Sequence, residues 1–105
     1  MNNIIAKDAQ KLIEKGGITV IDVRTFNEYE AGHIKNAQNI DIQSPSFLEK
    51  IKTLDPNAEY IVNCERGGRS NKAVEIMNEL GFSNVLNLEG GILAWRKERL
   101  PVERQ

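Results

Sequence analysis

Two periodicities interleave along this chain. Ile18-Thr19-Val20-Ile21-Asp22-Val23, Tyr60-Ile61-Val62-Asn63-Cys64 and Val85-Leu86-Asn87-Leu88 are short and nearly continuous in apolar character, as strands covered on both faces are. Between them the apolar residues recur at helical spacing. Ala9, Leu12 and Ile13 share one face of a helix that follows a short apolar start at Ile4-Ile5 and stops at Gly16-Gly17. Thr25-Phe26-Asn27-Glu28 has capping-box spacing and predicts a short helix ended by Gly32. Ser44 as N-cap with Pro45 at the first helical position predicts another, with Phe47, Leu48 and Ile51 as its buried side. Ser70 then caps a helix carrying Ala73, Val74, Met77 and Leu80, stopped by Gly81. After a turn at Gly90-Gly91, a last short helix runs from Ile92 to Arg96. Strands alternating with helices predict an α/β fold, with a central, mainly parallel sheet flanked by helices on both faces.

Composition narrows the function classes. At 105 residues, splitting the chain would leave two undersized cores, so one domain over 1–105 is expected. No repeat, low-complexity tract or linker interrupts it. A hydrophobic share of 40% with 28% charged residues places the chain among globular domains and away from disordered ones. Fourteen basic against 15 acidic residues, net −1, argue against a nucleic-acid partner that would need a basic surplus. No run of about 18 apolar residues is available to cross a membrane. The start Met1-Asn2-Asn3-Ile4-Ile5-Ala6-Lys7-Asp8 lacks the basic flank and apolar stretch of a signal peptide. The single cysteine, Cys64, excludes an internal disulfide and a Cys-rich metal site, and points to a reducing, cytoplasmic setting.

The chemistry concentrates where the strand ending in Cys64 turns into the next helix, because ligands of open α/β sheets bind outside the carboxyl ends of the strands. Cys64 is followed by Glu65-Arg66-Gly67-Gly68-Arg69-Ser70. Adjacent glycines allow a tight loop whose backbone N–H groups converge on an anion, and the dipole of the following helix adds to their potential. Arg66 and Arg69 bring two permanent positive charges close to the sulfur. Each of these effects lowers a thiol pKa, and the thiolate is the reactive form. A cysteine alone is more often a small buried hydrophobe; the loop around this one favours a nucleophile. Glu65 acts in the opposite direction, since a carboxylate beside a thiolate raises its pKa, unless it points outward or pairs with one of these arginines.

The stretch Cys64-Glu-Arg-Gly-Gly-Arg-Ser70 resembles the active-site loop of rhodanese-like sulfurtransferases. Three further stretches resemble that family in its order: Ile21-Asp22-Val23-Arg24 with Glu28-Tyr29 and Gly32-His33-Ile34; Asn36-Ala37 to Asn39-Ile40; and Leu88-Glu89-Gly90-Gly91 with Trp95. The likeness spans about Ile4 to Leu100, a single rhodanese-like domain. Two positions depart from the family: Lys35-Asn36 stands where Pro-Gly is usual, and Glu65 stands where many active members carry a basic or neutral residue.

The resemblance implies sulfane-sulfur transfer through a persulfide on catalytic Cys64, from thiosulfate or a similar small anionic donor to a thiophilic acceptor. That acceptor would be cyanide in vitro, and a cellular thiol or protein in vivo. Substrate binding would fall to Glu65, Arg66, Gly67, Gly68, Arg69 and Ser70, with no metal, nucleotide or organic cofactor. Asp22 and Arg24 would pair and brace the neighbouring loops. His33 reads as a structural histidine and Trp95 as a core anchor. Two other functions compete: a non-catalytic, protein-binding module, and phosphatase or arsenate-reductase chemistry. Tyrosine-phosphatase-like sites resemble Cys, five residues, then Arg. Here four residues separate Cys64 from Arg69, a tighter ring better matched to one sulfur atom than to a phosphate.

Overall fold

The computed structural model describes residues 2–104; Met1 and Gln105, the ends of the expected 1–105 domain, lie outside the described residues. In chain order the elements are β1 (Asn3–Ile4), α1 (Ala6–Lys15), β2 (Ile18–Asp22), α2 (Phe26–Ala31), β3 (Gln38–Asn39), α3 (Phe47–Lys52), β4 (Glu59–Asn63), α4 (Gly68–Glu79), β5 (Asn84–Leu88) and α5 (Gly91–Lys97). The five strands form one sheet in the order β1-β5-β4-β2-β3, and every neighbouring pair is parallel. The central strands β4 and β2 pair from Ile18↔Glu59 to Asp22↔Asn63. Cys64 and the β2–α2 turn therefore emerge side by side at the carboxyl edge.

Because strand side chains alternate, each central strand feeds two cores. Ile21, Val23, Tyr60, Val62, Cys64 and Val85 pack with Phe47 and Ile51 of α3 and with Ala73, Val74 and Met77 of α4. Val20, Ile61 and Leu88 pack on the other face with Ala6 and Ala9 of α1, Tyr29 of α2, and Ile92 and Trp95 of α5. This two-sided covering explains why the middles of β2 and β4 carry consecutive apolar residues, Val20-Ile21 and Tyr60-Ile61-Val62, rather than alternating ones.

The α2 capping box forms as the sequence predicts: Thr25 Oγ1 accepts from the Glu28 N–H at 3.3 Å, and Glu28 Oε1 accepts from the Thr25 N–H at 3.1 Å. The Ser44 cap does not form. Helix α3 begins at Phe47 with Ser46 before it, and Ser44 Oγ instead accepts from the Ser46 N–H at 3.2 Å, closing a local turn. Leu48, expected on the buried side, is 48% exposed, while Phe47 and Ile51 face the core. Leu80 lies past the end of α4 and is 36% exposed. Strands β1 and β3 have only two residues each, too few to leave a periodic signal. At the unusual Lys35-Asn36 position, Asn36 takes φ 65°, a left-handed turn that asparagine tolerates.

Candidate active site

Cys64 stands one residue beyond β4 and is almost fully buried, at 2% exposure. The loop that follows folds back over its sulfur. Gly67 makes this possible: at φ 107°, in a left-handed conformation, it serves as N-cap of α4 and donates its N–H to Cys64 Sγ at 3.0 Å. The expected cap, Ser70, is corrected by this geometry. Ser70 lies inside the first turn of α4, where it turns its hydroxyl inward to within 3.3 Å of Sγ. Gly68, which opens the helix, has open space where a Cβ would be.

The Ser70 hydroxyl donates to Asn87 Oδ1 at 2.5 Å and also approaches Gly67 O at 3.2 Å. Asn87 Nδ2 in turn donates to Asn3 Oδ1 at 3.2 Å and Gly67 O at 3.5 Å, so this residue of β5 ties serine and loop together. A hydroxyl carries one proton. While Cys64 is a thiol it can donate to Ser70 Oγ; once it is a thiolate, it competes with Asn87 for the serine proton. Burial pushes the Cys64 thiol up, but hydrogen bonds from the Ser70 hydroxyl and from the N–H groups of Ser70, Gly67 and Arg66 outweigh it. The net result is a thiol pKa below the ordinary cysteine range.

The loop is clamped from the far side by α5. The Ile92 N–H donates to Cys64 O at 2.9 Å and the Leu93 N–H to Glu65 O at 3.1 Å. Such close approach requires a bare backbone. A Cβ on Gly91 would lie only 2.3 Å from Glu65 O, and Gly91 sits at φ 64°.

The charged residues form a connected set. Arg24, 2% exposed, binds Asp22 through Nε and Nη2 at 2.8–3.1 Å and donates to Gly32 O at 2.6 Å. Its Nη1 lies 3.5 Å from Glu65 Oε1. Glu65 thus pairs with a cation of the β2 edge rather than with either loop arginine. Arg69 makes a bidentate pair with Glu28, Nη1 to Oε1 at 2.8 Å and Nη2 to Oε2 at 2.9 Å. That guanidinium, helped by the Thr25 bonds and against the effect of burial, pulls the Glu28 carboxyl down to about 2. Arg66 is exposed and makes no ion pair among the described residues.

The structure therefore brings Cys64, Gly67 and Ser70 into contact, leaves Arg66 open to solvent, and engages Arg69 and Glu65 with carboxylate and guanidinium partners elsewhere. Arg24, held by Asp22, reaches the loop through Glu65. Two residues the sequence reading left out belong to the site: Asn87 and Glu28. Asn87 has a signal, a polar side chain inside an apolar strand; Glu28 stands out as a helix cap and within the family-like upstream stretch, neither of which points to Arg69. His33 is away from this chemistry, buried and stacked on Tyr29 at 3.8 Å between ring centroids, with Nδ1 2.9 Å from Tyr29 O. Trp95 anchors α5 and donates Nε1–H to Pro101 O at 2.9 Å.

The fold is a parallel α/β sheet that presents a buried, hydrogen-bonded thiol at a helix N-terminus. The chain belongs to the rhodanese-like domain family, whose model matches residues 5–98. It is 39% identical to the thiosulfate sulfurtransferase GlpE of Pseudomonas fluorescens over 84% of this chain and 78% of that protein. It is 30% identical to rhodanese-like domain-containing protein 17 of Arabidopsis thaliana over 95% of this chain and 71% of that protein. Among solved structures, a rhodanese-related protein from Thermoplasma volcanium superposes with a TM-score of 0.90 at 38% identity, covering 100% of both chains.

Proposed function

We propose that this chain, as one domain, is a sulfurtransferase that carries a sulfane sulfur as a persulfide on Cys64. The carrying observation is the 3.0 Å hydrogen bond from the Gly67 N–H to Sγ, within a loop whose donors hold the thiol pKa down. A thiolate attacks the outer sulfur of thiosulfate or a similar donor and sulfite departs. The loop N–H groups then meet the negative charge of the persulfide, in the manner of an oxyanion hole. Arg66 is the cation free to hold the anionic end of the donor. With no second cysteine in the chain, the sulfur leaves to an outside nucleophile, a thiol or a protein acceptor. A lone reactive thiol suits a reducing, cytoplasmic setting. The sulfurtransferase names of relatives such as GlpE support the same chemistry.

The test is thiosulfate-to-cyanide sulfur transfer by wild type and Cys64→Ser. Serine is nearly isosteric but holds no transferable sulfur, so activity is expected in the first and none in the second. Equal turnover in both would remove Cys64 from the mechanism.

A further inference from the structure

The charges around the loop are three guanidiniums, Arg24, Arg66 and Arg69, against three carboxylates, Asp22, Glu28 and Glu65. With Cys64 as a thiolate, these groups together sum to one net negative charge. Two of the three cations are already occupied. Arg24 is locked on Asp22 and lies beside Glu65, and Arg69 is held by both carboxylate oxygens of Glu28. Glu28 is itself fixed, because its Oε1 also accepts the Thr25 N–H and hydroxyl of the α2 capping box, at 3.1 Å each. Arg69 therefore cannot swing to a donor without breaking a helix cap as well as an ion pair. For a dianion such as thiosulfate approaching a thiolate, this leaves Arg66, exposed and without an ion pair among the described residues, as the one loop cation not already engaged.

We propose that the site selects thiol persulfides, R–S–SH, over thiosulfate as sulfur donors, and that Glu28 determines this preference by withholding Arg69; the inference rests on the sulfur-transfer reading above. A protonated persulfide has no charge on its reacting sulfur and needs no cluster of cations. Cys64 Sγ⁻ attacks the outer sulfur, the new Sγ–S bond forms, and the S–S bond of the persulfide breaks with its electron pair remaining on the inner sulfur of R–S⁻. The proton of the transferred sulfur passes to the departing thiolate. The products are Cys64–S–S⁻ and R–SH, with atoms and charge balanced and no outside oxidant or reductant. The loop N–H groups, which already point at Sγ, are the only anion stabilisers this step requires.

The experiment measures kcat/KM for cysteine persulfide and for thiosulfate with one common acceptor, in wild type and in Glu28→Gln. Glutamine keeps the oxygen that caps α2 but removes the carboxylate charge and the second acceptor oxygen that hold Arg69, loosening its grip on that guanidinium. Wild type is expected to prefer cysteine persulfide by at least about tenfold, and Glu28→Gln to move the ratio towards thiosulfate by about tenfold, the worth of one charge-assisted contact. A wild-type preference for thiosulfate overturns the proposal, whether or not the variant folds. So does a ratio unmoved in a folded Glu28→Gln. Failure of Cys64 to gain sulfur from either donor, read by intact mass, instead overturns the sulfur-transfer reading itself.

Discussion

Ser70 donates its hydroxyl to Asn87 Oδ1 at 2.5 Å, and that contact fixes the serine oxygen beside the Cys64 sulfur. A residue of β5 thereby orients a residue of α4 against the thiol just beyond β4. Ser70→Ala removes the one side-chain hydroxyl that, among the described residues, lies within hydrogen-bond distance of Sγ. A hydrogen bond to the thiolate favours the charged form, so its loss is expected to raise the Cys64 pKa. The acid limb of the alkylation rate with iodoacetamide reads this directly, and an unmoved limb would leave the backbone donors alone responsible.

Gly91→Ala is expected to be more damaging than Gly68→Ala. At Gly91 a Cβ would collide with Glu65 O at 2.3 Å, and the left-handed φ of 64° adds backbone strain of about 1–3 kcal/mol. At Gly68 nothing lies within 4 Å of the added carbon. Thermal melts of the two variants check this, with Gly68→Ala close to wild type in Tm. Equal losses would mean that the α5 clamp on the loop is not tight.

The arginines are not equivalent. Using thiosulfate as probe, Arg66→Ala removes the free cation and should raise KM by about ten- to a hundredfold, the worth of roughly 1.5–3 kcal/mol. Arg69→Gln also raises KM, because it leaves the Glu28 charge bare. Removing both members of the pair, in Glu28→Gln/Arg69→Gln, restores KM to within about threefold of wild type, since the pair sums to zero charge. A double variant no better than Arg69→Gln would place Arg69 directly on the donor.

The same pair makes stability depend on acidity. The Glu28 carboxyl titrates at about 2 when folded and at about 4.3 when unfolded. A carboxyl lowered on folding contributes stability that is complete above the unfolded value and lost as pH falls towards the folded one. The pair is about one-third exposed, so solvent screening limits the gain to about 1 kcal/mol or less. The Tm advantage of wild type over Arg69→Gln should therefore shrink between roughly pH 4.3 and pH 2. A constant advantage across that window would mean that Arg69 stabilises by packing alone.

What the sequence disclosed follows from how local each signal is. The strands β2 and β4 declare themselves because both faces are covered, and the Thr25–Glu28 cap because its partners are three residues apart. The thiol loop was legible from Gly67 and the neighbouring arginines. Ser70 was misplaced as a cap because a left-handed Gly67 supplies the helix start three residues earlier and frees the serine for Sγ. The Glu28–Arg69 pair joins residues 41 positions apart, and the Ser70–Asn87 contact residues 17 apart. No periodicity encodes such partners; only the register of β2, β4 and β5 in the sheet brings them together.

Intact-mass spectrometry of wild-type protein after exposure to a sulfane-sulfur donor tests the central claim most directly. One added sulfur atom per chain, removed by a thiol reductant and absent in Cys64→Ser, is the predicted result. A wild-type mass unchanged by both thiosulfate and cysteine persulfide, with Cys64 still free to alkylate, would contradict it.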